Sequence, residues 1–156
     1  AEIHIVAGGE HRQESVANAL RMVPEDVSIV LVHDAARPLV PIEVTQNVVA
    51  AIRNGAKAVI PVLPLVDTIK RVNNQGIAIE TVDRNQLRRV QTPQGFDRAT
   101  LDLAYENPEV VATDDAALMD ALGIPVLTVV GDERSLKITT MADVQHALSL
   151  LEVISD

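Results

Sequence analysis

Three titratable side chains follow the most apolar short segment of the chain. Residues 29–32 are all aliphatic, and His33, Asp34 and Arg37 come directly after them. A continuous aliphatic run is typical of a strand that helices cover on both faces. In open α/β sheets, ligands bind outside the carboxyl ends of the strands. The segment therefore predicts a functional site at residues 33–37, although a surface turn in which Asp34 pairs with Arg37 explains the same pattern.

A second polar cluster surrounds two adjacent glycines near the start of the sequence. Gly8 and Gly9 follow an apolar segment, and Glu10 and Ser15 lie where a helix is predicted to begin. Adjacent glycines let the backbone approach a ligand closely, and amides at the start of a helix favour anions. The spacing matches neither of the common phosphate-binding glycine motifs. A simple turn therefore explains the segment equally well.

Three further segments carry polar side chains with two interpretations each. Asp114 and Asp115 follow Thr113, and they fit either the capped start of a helix or a Mg2+ site. Lys137 follows a predicted strand, where its ammonium group could meet a phosphate or only solvent. Residues 88–96 are polar and contain a proline, which suits a loop that lines a site or a plain connector.

The composition limits the class of protein. The chain has 156 residues, of which 47% are hydrophobic, and this suits a single domain over residues 1–156. Its formal net charge of -9 has the wrong sign for binding DNA or RNA. The absence of cysteine excludes disulfides, thiolate metal sites and a cysteine nucleophile. No apolar run reaches the roughly 20 residues of a membrane span, and we expect a cytoplasmic protein.

Apolar periodicity predicts the elements that must position these clusters. Strand and helix patterns alternate along the chain, which predicts an α/β fold with a mostly parallel sheet flanked by helices. The turn signal NNQG between two strand-like segments predicts a projecting β-hairpin at about residues 65–90. Strands are predicted at residues 3–6, 29–32, 58–63 and 126–130, and helices near residues 16–23, 44–52, 97–106, 114–123 and 144–151.

Seven segments occur in an order that resembles one enzyme family. They read, in chain order, VAGGEHRQESV, VLVHDAARP, DTIK, VDRNQL, QTPQGF, TDDAALMDALG and KITT. Together they resemble the 2-C-methyl-D-erythritol 4-phosphate cytidylyltransferases of the non-mevalonate route to isoprenoids. The resemblance implies a Rossmann-like nucleotidyltransferase fold, a homodimer and a requirement for Mg2+. It also implies transfer of a cytidylyl group from CTP to methylerythritol phosphate, with release of pyrophosphate.

The same resemblance implies roles for individual residues. Asp34, Lys137 and Arg84 would be catalytic, with Asp34 at the Mg2+ ion and Lys137 neutralising phosphate charge. Thr68 and Arg84 would reach across the dimer from the hairpin to the substrate phosphate of the neighbouring subunit. The CTP-binding residues would be Gly9, Glu10, Arg12, Ser15, Asp34, Ala35 and Lys137, and those that bind methylerythritol phosphate would be Arg37, Thr68, Arg84, Thr92 and Thr113.

One part of the family pattern has no counterpart in the sequence. The family begins with a strand and a glycine-rich loop whose arginine and lysine cradle the triphosphate, and residues 1–9 do not match that loop. We therefore expect the chain to begin roughly a third of the way into the pattern, with the first strands of the sheet missing. The alternatives are a ribitol 5-phosphate cytidylyltransferase and a truncated, non-catalytic nucleotide-binding or dimerisation module. The HDAARP segment favours methylerythritol phosphate over ribitol phosphate.

Overall fold

The computed structural model describes residues 2–106 and 114–154. Strands and helices alternate, as the apolar pattern predicts. The helices are α1 (Arg12–Leu20), α2 (Ile42–Arg53), α3 (Arg98–Tyr105), α4 (Asp115–Ala121) and α5 (Met141–Ile154). The strands are β1 (Ile29–Val32), β2 (Ala58–Pro64), β3 (Ile69–Val72), β4 (Ala78–Val82), β5 (Arg88–Val90), β6 (Gln94–Asp97) and β7 (Val126–Val130).

The main sheet is mixed rather than mostly parallel, which corrects one detail of the predicted fold. β6 lies between β1 and β2 and is antiparallel to both, and β5 continues antiparallel along the same edge of β2. β7 is parallel to β2 on its other edge. The strands β1, β2 and β7 thus point the same way, as expected. Their carboxyl ends therefore lie at one edge of the sheet, where ligands bind in α/β folds.

Helices cover both faces of this sheet, which confirms the α/β class. On one face, Val48 and Ile52 of α2 pack against Val59. On the other face, α3 and α4 enclose Phe96. Gly95 of β6 has no room for a side chain, because a Cβ there would overlap Val48. The strand and helix α2 therefore approach each other closely only because position 95 is glycine.

The predicted hairpin is present as a separate two-stranded sheet. β3 and β4 pair antiparallel, and they share no ladder with the main sheet. Their turn is stabilised by the side chain of Asn73, which accepts hydrogen bonds from the amides of Gln75 and Ile77. Residues 88–90, predicted as the end of the hairpin, belong to β5 instead. We call residues 65–87 the hairpin arm.

Two segments differ from the sequence-based expectations. Residues 3–6 form no strand, and Ile3 and Ile5 are 85% and 97% exposed, because no described strand pairs with them. Conversely, residues 88–97 supply two strands where only a loop or connector was expected. Their polar side chains hide the alternating apolar pattern by which a strand is recognised. Within the described residues, no helix is long and apolar enough to span a bilayer.

Candidate active site

Asp34 lies just beyond the end of β1 and forms the centre of a charged cluster. Its Oδ2 lies 3.3 Å from Nε of Arg37 and 3.1 Å from Nζ of Lys137. Burial alone would raise the pKa of Asp34, but the hydrogen bonds and charges of Lys137 and Arg37 outweigh it and lower this pKa. Asp34 is therefore held as a carboxylate with two cations on one oxygen.

The loop that follows β7 is joined to the loop that follows β1. The guanidinium of Arg37 donates to the carbonyl of Ser135 at 2.7 Å, and the amide of Ile138 donates to the carbonyl of Ala36 at 2.8 Å. These contacts bring Lys137 next to Asp34, although the two residues lie far apart in sequence. The parallel orientation of β1 and β7 makes this meeting possible, since both loops leave the sheet at the same edge.

Thr92 fixes the backbone at the end of β1. Its buried hydroxyl accepts a hydrogen bond from the amide of Asp34 at 3.1 Å and lies 2.9 Å from Nδ1 of His33. Nε2 of His33 lies 3.2 Å from the carbonyl of Arg37. All these contacts are satisfied when Thr92 donates to Nδ1 and the protonated Nε2 donates to the carbonyl of Arg37. Residues 33–37 are thus held as a closed turn.

Arg12 enters the cluster from the first turn of α1. Its guanidinium donates to Asp115 Oδ2 at 2.6 Å, and the hydroxyl of Tyr105 donates to the other oxygen of that carboxylate. Asp115 is only 1% exposed, so its charge is compensated inside the protein. Burial opposes the charge on Arg12, but the hydrogen bond and charge of Asp115 outweigh it and raise the pKa of Arg12. Burial, together with the bond to Asp115, raises the pKa of Tyr105.

Two buried glutamines, which sequence reasoning did not single out, flank the Thr92–Pro93 segment. Gln94 donates to Oδ2 of Asp114 at 2.7 Å and accepts from the amide of Ala116 at 3.2 Å, which anchors the start of α4. Asp114 caps that helix by accepting from the amide of Ala117. Gln91 contacts the loop after β7. The sequence marked these glutamines only as part of the QTPQGF segment, in which they flank Thr92 and Pro93.

Two adjacent cavities open on this cluster. The larger, of about 440 Å3, lies between α1 and the end of β1, and the smaller has a volume of about 180 Å3. Arg12 and Asp34 line both. Of the other predicted site residues, the structure brings Ser15 and Ala35 to the larger cavity, and Arg37, Thr92 and Lys137 to the smaller one.

The remaining predicted residues lie elsewhere. Gly9 and Glu10 are exposed just before α1, where the amide of Gly9 donates to the hydroxyl of Ser15 at 3.0 Å. Thr68 and Arg84 are exposed on the hairpin arm, and neither lines the two cavities of its own chain. Thr113 lies outside the described residues.

The smaller cavity is lined by two acidic residues, Asp34 and Asp114, and these do not form a closed cage for a metal ion. Among residues 2–106 and 114–154, no group of three or more His, Cys, Asp or Glu side chains could hold a metal. Mg2+ at phosphate sites is commonly held by one or two carboxylates, substrate phosphates and water. Asp34 fits that pattern because its carboxylate borders both cavities.

Comparison with known proteins agrees with this geometry. A helix-flanked sheet with charged loops at its carboxyl edge is a Rossmann-like arrangement, in which ligands bind at that edge. The family model for 2-C-methyl-D-erythritol 4-phosphate cytidylyltransferase matches residues 1–153. The chain therefore belongs to the 2-C-methyl-D-erythritol 4-phosphate cytidylyltransferase family.

Individual relatives support the same assignment. A protein of this name from Frankia casuarinae is 50% identical over 96% of the chain. The chain covers 56% of that relative, so it spans little more than half of the relative's length. The crystal structure of 2-C-methyl-D-erythritol 4-phosphate cytidylyltransferase from Thermus thermophilus is 39% identical with a TM-score of 0.82, over 92% of this chain and 70% of that one. The crystal structure of 4-diphosphocytidyl-2C-methyl-D-erythritol synthase from Anaerococcus prevotii is 30% identical to this chain and has a TM-score of 0.85. The match covers 93% of this chain and 68% of that one.

Proposed function

We propose that the protein transfers a cytidylyl group from CTP to 2-C-methyl-D-erythritol 4-phosphate and releases pyrophosphate. Membership of the family and the names of its relatives support this activity. The observation that carries the proposal is the meeting of Asp34, Arg37 and Lys137 at the border of two cavities. A carboxylate beside two cations suits a site that binds both a metal ion and phosphate groups.

The proposed reaction makes one phosphorus–oxygen bond and breaks another. A phosphate oxygen of methylerythritol phosphate attacks the α-phosphorus of CTP, while the bond from that phosphorus to the bridging oxygen of the β-phosphate breaks. Pyrophosphate leaves with the electron pair. The attacking oxygen is already ionised near neutral pH, so the site needs no general base. Catalysis then consists of positioning and of neutralising charge.

We propose that the two cavities bind the two substrates separately. We assign the base and ribose of CTP to the larger cavity, which Arg12, Ser15 and Ala35 line, and we add Gly9 and Glu10 from the family pattern. We assign the methylerythritol phosphate to the smaller cavity beside Arg37 and Thr92, with Thr113 added from the family pattern. Lys137 is half-exposed, so its ammonium group can leave Asp34 for a phosphate oxygen.

Two further features complete the proposal. Asp34 would hold a Mg2+ ion, which when bound supplies positive charge to the phosphates of CTP. The hairpin arm would pair two subunits and bring Thr68 and Arg84 to the site of the neighbour, and its exposed Ile77 and Ile79 support such a contact. Because CTP and sugar phosphates are cytoplasmic metabolites, we place the activity in the cytoplasm.

The experiment that tests the function is a direct assay of the full-length protein. CTP and Mg2+ are mixed with either methylerythritol phosphate or ribitol 5-phosphate, and both the CDP-linked product and pyrophosphate are measured. We expect both products in equal amounts, with the higher kcat/KM for methylerythritol phosphate. Faster turnover of ribitol 5-phosphate would replace the proposed substrate. Absence of transfer to either substrate would contradict the proposed activity.

A further inference from the structure

Both polar atoms of the Gln91 side chain bind one residue of the loop after β7. Its Oε1 accepts a hydrogen bond from the amide of Asp132 at 3.0 Å, and its Nε2 donates to the carbonyl of the same residue at 2.8 Å. Gln91 is only 4% exposed. A buried amide with both polar atoms paired is costly to disturb, because an unpaired group would lose its hydrogen bond without regaining water. The contact therefore fixes the backbone at position 132.

Gly131 leaves the space that the side chain of Gln91 occupies in this contact. A Cβ at position 131 would overlap Oε1 of Gln91 and would lie 3.3 Å from the carbonyl of Val62. The amide of Gly131 also donates to that carbonyl at 2.9 Å, which continues the pairing of β7 with β2. The glutamine thus reaches across the backbone at the point where the strand ends and the loop begins, and only glycine leaves room for it there.

A short, well-bonded segment connects this contact to the charged cluster. The carboxylate of Asp132 accepts from the amide of Arg134 at 2.8 Å and starts a 3-10 turn over Glu133–Ser135. Ser135 is fully buried, and its carbonyl is held by Arg37. Lys137 follows two residues later and contacts Asp34. A displacement at position 132 would therefore be passed to Lys137 instead of being absorbed by a loose loop.

We propose that Gln91 is a positioning residue that places Lys137 for phosphate transfer. The proposal rests on the function proposed above, in which Lys137 neutralises phosphate charge. Gln91 acts on the reaction through the loop at residues 132–137, since its own amide is occupied by Asp132. Small errors in the position of a group at a reacting centre cost large factors in rate.

The test is a double-mutant cycle between Gln91 and Lys137 in the full-length protein. Gln91→Met keeps the volume of the side chain and removes both hydrogen bonds, and Lys137→Met removes the ammonium group. We expect Q91M to lower kcat for cytidylyl transfer about tenfold in the native protein, and less than about twofold when Lys137 is already Met. A residue with a merely structural role would lower kcat by the same factor in both backgrounds, and this result would overturn the proposal.

The matched control is Arg89→Gln. Arg89 also ties β5 to this loop, through an exposed contact with Glu133 at 2.6 Å, but it does not hold the backbone. We expect R89Q to keep kcat within about twofold. If K137M were as active as the native protein, the role proposed for Lys137 would fail together with the inference, whereas an unchanged kcat in Q91M alone would overturn only the inference.

A second measurement does not depend on activity. A crystal structure of the Gln91→Met protein should show residues 132–137 displaced and the contact between Lys137 and Asp34 lengthened or lost. An unchanged loop, with Nζ of Lys137 still about 3.1 Å from Asp34, would overturn the proposal even if kcat had fallen.

Discussion

The charged residues of the cavities and those of the hairpin arm are of the same types but sit in different surroundings. The side chains of Asp34 and Arg37 are largely buried and contact each other, and Arg37 also donates to the carbonyl of Ser135. Arg71 and Glu80 of the arm pair at 2.8 Å with both side chains more than half exposed. An exposed pair contributes at most about 1 kcal/mol, whereas breaking a buried network leaves unpaired charge.

This contrast determines where each region can act. The residues around Asp34 hold one another in place within a single chain, so their geometry exists before any ligand binds. Arg84 of the arm is exposed, and its guanidinium contacts only the carbonyl of Val66 among the contacts found within the described residues. An exposed arginine placed this way can contact a second protein surface that binds to the arm. Substitutions in the two regions should therefore differ in effect.

Asp34→Asn should have the largest effect, because it removes the carboxylate that both cations contact and that we assign to Mg2+. We expect kcat/KM for cytidylyl transfer to fall at least ~100-fold. The control is Asp102→Asn, which breaks an ion pair with Arg98 on α3, outside both cavities. That variant should keep kcat/KM within about twofold. Similar losses in the two variants would mean that Asp34 has no special role.

Arg84→Ala should lower kcat/KM about tenfold if Arg84 makes the charge-assisted contact to the substrate phosphate that we propose for it. If the arm acts on the neighbouring subunit, heterodimers of an R84A chain and a D34N chain contain one intact site. Co-expressed, differently tagged chains purified as heterodimers should then show about half of the native activity. Failure to form dimers, or heterodimers no more active than R84A itself, would place the arm's residues outside the neighbour's site.

Gly131→Ala should destabilise the protein, because it crowds the buried side chain of Gln91. The added Cβ would overlap Oε1 of Gln91, so the glutamine must shift, and we expect a loss of about 1–3 kcal/mol in the free energy of unfolding. Urea denaturation measures the loss. Adding Gln91→Ala in the same chain should make the cost of the alanine at position 131 smaller. An equal cost with and without Gln91 would contradict the packing described here.

The smallest effect is expected at the start of α5, outside both of the regions compared above. Asp143 accepts hydrogen bonds from the amides of Thr139 and Thr140 and from both hydroxyls, which lowers its pKa from 3.8 to about 2. A lowered pKa in the folded state stabilises the protein above pH 3.8, and this contribution is lost as the pH falls towards 2. Asp143→Asn should therefore flatten the pH dependence of stability in that range. An unchanged slope would mean that the hydrogen bonds do not form in solution.

Much of the fold could be predicted because apolar periodicity carries it. The strands at residues 29–32 and 126–130 and the hairpin turn at Asn73 follow from local patterns, and the structure confirms them. β5 and β6 could not be predicted in this way, since β5 carries the exposed side chains of Arg88 and Arg89, and β6 begins with Gln94, a buried polar residue whose partners lie far away in sequence. Local patterns do not contain such long-range hydrogen bonds.

The candidate site shows the same division. Polar residues directly after a buried strand predicted a site near Asp34, and the orientation of β1 and β7 explains why Lys137 lies there too. The roles of individual residues came from resemblance, not from spacing. The contacts of Arg12 with Asp115 and of Gln91 with Asp132 could be found only in three dimensions, because nothing in the chain marks which distant residues will meet.

The proposed function depends above all on whether the cluster at the ends of β1 and β7 binds the phosphates of the nucleotide. Titration calorimetry of CTP into the full-length protein measures this binding directly, with Lys137→Met compared with Lys57→Met. Lys57 also pairs with an aspartate, Asp97, at 3.3 Å, but it lines neither cavity. We expect K137M to weaken CTP binding about tenfold or more, and K57M to leave it unchanged. Equal affinities in the native protein and both variants would contradict phosphate binding by this cluster.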